Sequence, residues 1–208
     1  MTPSDSLRLV IIAPDLGPPT DEQGQLLAER SRQLRIALLE NGYNIVAVLP
    51  ADVFLNERLA QLAPDMIIVD AESDARDALE HVVVATRDAR RPIVLFTNDE
   101  DTTHVKDAVA AGVSAYIVDG LAPERIRPIL EVAMARFEHE QDLRRELADA
   151  RSELQNRKVI DRAKALLMQR HGLSEDAAYA RLRKAAMDKG LKLAEVSQRM
   201  LDAAELLG

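Results

Sequence analysis

Asp70 is the residue best placed for covalent chemistry, because it ends an apolar run, Met66-Ile67-Ile68-Val69, that reads as a buried strand. A carboxylate there can take a phosphoryl group as an aspartyl phosphate. Such transfer needs a divalent cation, and Mg²⁺ wants several oxygens in near-octahedral geometry. Asp15, Thr97 and Asp119 fall at the ends of three other strand-like runs and complete that candidate set. A second set, in the last fifty residues, is suited to binding: Lys158, Lys164, Arg183 and Lys184 supply cations, and Tyr179 supplies a ring. Tyr179 and Arg183 are four apart and share a face of any helix that carries them. Ala163 and Ala178 are small enough to let a ribose or a base approach the backbone. Unpaired RNA bases are held in this way, by stacking on rings or guanidinium planes with cations at the phosphates. The plainer alternatives are that Tyr179 covers a core and that Lys158 is an ordinary solvated lysine.

Other chemistries find no support in the residue types. The sequence has no cysteine, no glycine-rich phosphate loop and no paired metal-ligand spacing, and His81, His104, His139 and His171 are scattered over separate segments. A protein that is not an enzyme and carries no cofactor is expected, with Mg²⁺ entering only if the Asp70 site functions. The 208 residues, 47% hydrophobic and 30% charged, suit one large domain or two small soluble ones. No apolar run approaches the roughly 20 residues that span a bilayer. The polar Met1 to Ser6 start and Pro14-Asp15 after the Leu9 to Ala13 run argue against a secretory signal. With no cysteine to oxidise, a cytoplasmic location and no membrane partner are expected.

A formal net charge of -8 argues against binding nucleic acid, yet the charge is uneven. Lys158 to Gly208 holds ten Lys+Arg against seven Asp+Glu, a net of +3, which leaves -11 for everything before it. The last fifty residues therefore differ in kind.

The elements that must position these groups follow from periodicity. Strands are expected at Leu7–Ile12, Asn44–Leu49, Met66–Asp70, Pro92–Thr97 and Ser114–Val118. Helices are expected between them at Gln23–Asn41, Phe54–Ala63, Asp74–Arg90 and Thr102–Ala111, with Gly42 and Gly112 as stops. Five strands alternating with helices make a doubly wound parallel α/β sheet, whose working groups lie beyond the carboxyl ends of the strands. From Pro123 only helical spacing remains. Leu143, Leu147, Ala150 and Leu154 recur at 4-3-4, the spacing of a short parallel coiled coil that pairs two chains. Three further helices follow, divided by Gly172 and Gly190, with Ser174 as an N-cap. Ile160, Leu167, Leu182, Ala186 and Met187 are assigned to packing. The expected domains are 1–135, a helical coiled-coil linker at 136–157, and an all-α three-helix bundle at 158–208.

The order Met66-Ile67-Ile68-Val69-Asp70, Ile93-Val94-Leu95-Phe96-Thr97 and Gly112-Val113-Ser114-Ala115-Tyr116-Ile117-Val118 resembles the receiver domain of bacterial response regulators. That resemblance implies Asp70 as the phosphoacceptor position and Thr97 as the switch hydroxyl. Receivers usually carry a pair of acids after the first strand and a lysine after the fifth. Here Asp15 stands alone and Asp119-Gly120 reverses the sign of the charge, so a receiver fold kept for protein binding is favoured over a phosphorylation switch gated by Asp70.

The segments from Arg157 to Met168, from Ser174 to Tyr179 and from Leu182 to Met187 resemble the ANTAR family, as do Leu193, Val196 and Met200. The Ser114 to Val118 and Ile129 to Glu138 stretches resemble its nitrate and nitrite assimilation members. What the resemblance implies is an RNA-binding transcription antiterminator that holds paired hairpins in a leader RNA as a homodimer. It also implies sequestration by a nitrate-sensing, NasS-like protein. A DNA-binding regulator is the rival from another class, since three short helices can form a helix-turn-helix.

Overall fold

The computed structural model describes residues 7–13, 21–70, 75–87, 89–97, 105–118 and 122–207. The elements run β1 (Arg8–Ile12), α1 (Glu22–Glu40), β2 (Asn44–Leu49), α2 (Leu55–Leu62), β3 (Met66–Asp70), α3 (Ala75–Ala85), β4 (Ile93–Thr97), α4 (Val105–Ala111), β5 (Ala115–Val118), α5 (Pro123–His171), α6 (Glu175–Lys189) and α7 (Leu193–Leu207). The chain divides into two compact units, Met1–Glu140 and Gln141–Gly208. ANTAR-like residues therefore fall wholly in the second unit.

In the first unit all strand pairs are parallel, in the order β2-β1-β3-β4-β5. Alternation along the strands sends successive side chains to opposite faces of the sheet, and each face has its own core. Val10, Ile12, Ile67, Val69, Ile93 and Leu95 pack with Leu55, Leu59, Leu79, Val82 and Ala108 from α2, α3 and α4. Leu9, Ile11, Met66, Ile68, Val94 and Phe96 pack with Leu34, Ala37 and Leu38 of α1 and with Ile126, Leu130 and Ala133 of α5. Every residue of β3 and β4 is buried, which is why their sequences are unbroken apolar runs.

Among the described residues, two boundaries differ from expectation by more than one residue. Helix α3 stops at Ala85, not Arg90: the Thr86 hydroxyl donates to the Val82 carbonyl at 2.8 Å, a local bond that competes with a further helical turn. The expected first helix of the bundle is not separate but the last part of α5, which is unbroken from Pro123 to His171. Pro123 suits a first helical position, and residues 136–157 contain no Pro or Gly to end the helix.

In the second unit Val159, Ala163 and Leu167 of α5, Ala178 and Leu182 of α6 and Leu201 of α7 form a small core. Ser174 caps α6, accepting from the Ala177 N–H, and Gly190 ends it in the left-handed region at φ 62°, where an L side chain is strained. No helix among the described residues is long and apolar enough to cross a membrane.

Candidate functional site

The sheet places Asp70 at the carboxyl end of β3, opposite Phe96, and Thr97 one residue further along β4. Both are buried, Asp70 to 5% exposure. Asp15 and Asp119 lie outside the described residues. Helix α1 adds a group that sequence reasoning missed. The Arg30 guanidinium Nη1 lies 3.8 Å from Asp70 Oδ1, and its side chain is only 15% exposed. A signal was there: Arg30 precedes Leu34 and Leu38 at intervals of four, so a charge sits in the stripe that faces the sheet. Asp21, the acid nearest the start of α1, caps it by accepting from the Gly24 N–H at 2.7 Å.

In the second unit the binding candidates separate by burial. Tyr179 is 44% exposed and does not cover the core, and Lys158, Arg183 and Lys184 are exposed as well. None of these three cations has a carboxylate partner among the described residues, whereas Arg162 pairs with Glu205 and Arg199 with Glu195. Because α6 buries Ala178, Leu182 and Ala186, the positions one residue later, Tyr179, Arg183 and Met187, form the adjacent exposed stripe.

Three expectations need correction. Ala163 and Ala178 are both fully buried, so their small size serves close helix packing and presents no backbone to a ligand. Met187, assigned to packing, is 72% exposed, because one step of the helix turns it away from Ala186 and the core. Lys164 is not an open cation. It donates to Glu175 Oε1 at 2.7 Å and sits 2.8 Å from Asp161 Oδ1, tying α5 to the first turn of α6. Hydrogen bonding to Asp161, then to Glu175, holds the Lys164 ammonium above its usual value, and the bond to Lys164 holds the Asp161 carboxyl below its own.

Comparison with known proteins bears on both units. The ANTAR domain matches residues 148–201, a span that takes in the exposed α6 stripe and begins ten residues before Lys158. Over 196 residues, 89% of this chain and 95% of the other, the sequence is 31% identical to the transcriptional regulatory protein PdtaR of Mycobacterium tuberculosis. The chain belongs to the ANTAR-domain regulators. This ANTAR regulator is also 32% identical over 88 residues to a nitrate regulatory protein of Klebsiella oxytoca, which is 42% of this chain and 22% of that protein. Among solved structures, a signal receiver domain from Desulfovibrio desulfuricans G20 matches at 22% identity and a TM-score of 0.49, over 65% of this chain and 99% of that one. The ANTAR regulator's own ladder of five parallel strands gives it the receiver-like fold.

Proposed function

We propose that this ANTAR regulator binds hairpins in a leader RNA and, by holding them, keeps a transcription terminator from forming. The observation that carries the reading is the exposed Tyr179 and Arg183 stripe on α6, inside the ANTAR match, with Lys184 beside it and without a carboxylate partner among the described residues. A ring and a guanidinium on one face can stack unpaired loop bases, and the cations can meet the phosphates. In this reading Lys164 orients α6 through its ion pairs, and Lys158 is an outlying phosphate contact.

The RNA-bound form is a homodimer. Two identical bundles can engage two adjacent hairpins, which makes the second contact intramolecular. The seam of Leu143, Leu147 and Leu154 is exposed on the single chain, each at about half of full exposure. With Leu147 and Leu154 at heptad position a and Leu143 and Ala150 at d, position g is Glu146 and Glu153 and position e is Arg151 and Lys158. A parallel pairing sets Glu146 against the partner's Arg151, while an antiparallel one sets like charges together.

On this reading regulation follows nitrate-assimilation members such as NasT: a NasS-like nitrate sensor sequesters the regulator and releases it when nitrate binds. The partial likeness to the nitrate regulatory protein supports this, as do exposed Val53, Phe54 and Val84 on the receiver-like unit, which offer a partner apolar surface. The test is fluorescence anisotropy with a transcript of twin short hairpins, against duplex DNA of the same sequence. Tight binding of the transcript alone is expected. Preference for the duplex would move the protein to the DNA-binding class, and indifference to both would overturn the reading.

A further inference from the structure

Receivers hold a divalent cation beside the phosphoacceptor, so the residues around Asp70 can be asked whether they fit one. Among the described residues they do not: no cluster of three or more acids and histidines there could ligate a metal, and the charged neighbour that Asp70 has among them is the Arg30 guanidinium. We infer that Arg30 is the built-in cation of the Asp70 site, taking the place of a divalent metal and fixing the receiver-like unit in one setting. The inference rests on the first unit alone and stands or falls independently of RNA binding.

Three observations carry it. Asp70 is 5% exposed at the end of a central strand, and burying a carboxylate is costly unless a compensating charge is paired with it. Arg30 supplies that charge from α1 at 3.8 Å, with a side chain only 15% exposed. Finally, the two cations exclude each other. A Mg²⁺ ion on Asp70 sits about 2.1 Å from the carboxylate oxygen, so it would come within about 6 Å of the guanidinium, beside a carboxylate only 5% exposed. Arg30 is anchored by a helix whose Leu34 and Leu38 are completely buried, so it does not simply withdraw.

The experiment uses the full chain and Mg²⁺ or Mn²⁺ alone as probe, read by thermal unfolding and by Mn²⁺ paramagnetic relaxation. The wild-type melting temperature should not respond to Mg²⁺ at millimolar concentration. Arg30→Gln should melt lower without metal, recover when Mg²⁺ is added, and bind Mn²⁺ at least roughly tenfold more tightly than wild type. The double variant Arg30→Gln with Asp70→Asn should lose that response, which locates the ion at Asp70. A wild-type protein that is stabilised by Mg²⁺, or a folded Arg30→Gln that gains no metal response, overturns the inference. If Arg30→Gln does not fold, the wild type decides: incubation with acetyl phosphate and Mg²⁺ should give no phosphate adduct by intact mass. An adduct on Asp70 would make Arg30 the stand-in for the missing lysine instead of for the metal.

Discussion

The two charged constellations of this molecule use similar residues to opposite ends. At the end of β3, a half-buried Arg30 faces the buried Asp70, so their charge is spent within the fold. On α6, Arg183 and Lys184 are exposed without a carboxylate partner among the described residues, so their charge is available to something outside. Lys164 crosses the division. It lies in the ANTAR match yet is held by Asp161 and Glu175, as Arg30 is held by Asp70. Location in a motif therefore says less about a cation's task than whether an acid already holds it.

Substitutions can break or sharpen this contrast. The largest effect should come from Tyr179→Ala combined with Arg183→Ala. Losing a stacking ring costs about 1–3 kcal/mol per base and the guanidinium adds to it, so RNA affinity should fall roughly a hundredfold or more while the melting temperature stays put. Anisotropy and circular dichroism on one preparation check both halves. Removing Arg30 should do the reverse, destabilising the first unit by about 3–5 kcal/mol, as expected when a buried carboxylate loses its partner, and leaving hairpin binding intact. Denaturant titration beside the same RNA assay measures this.

Leu147→Glu should weaken self-association and, with it, binding to twin hairpins, while binding to one hairpin barely changes. Sedimentation that still shows an undiminished dimer would remove the seam from the mechanism. The smallest effect should come from Lys164→Ala, a modest drop in melting temperature together with a modest loss of affinity. Loss of affinity alone would return Lys164 to the contact set. The pH response of this clamp has a definite sign. The Asp161 value is lowered on folding, so its contribution is complete above the unfolded carboxylate value and fades as pH falls through the folded one. The Lys164 value is raised, so its contribution is complete below the ordinary lysine value and fades as pH rises through the folded one. Between those limits, a melting curve of the second unit should show no step from this pair.

Much of the fold was legible because it is written locally. Unbroken apolar runs marked β3 and β4 as doubly covered strands, and Ser174 and Gly190 marked both ends of α6 through their own backbone chemistry. The sites were less legible. The role of Arg30 depends on α1 lying across the sheet, a tertiary fact, although a charge in a buried stripe was a warning. Ala163 and Ala178 were read as openings when small side chains serve close packing equally well, and only burial separates the two. Met187 fell on the wrong side by a single helical step, 100° of rotation, which a motif match does not fix.

Met187 also bears on how the protein ages. Thioether oxidation follows solvent access, and at 72% exposure Met187 is open to peroxide, whereas Met66, inside the sheet, is completely shielded. A sulfoxide at Met187 sets a polar, chiral group one turn from Arg183, so in stored protein the change would fall on the face proposed to meet RNA, with Met66 in the core untouched. Methionine sulfoxide reductase treatment, or leucine at this position, would tell damage of that kind from unfolding.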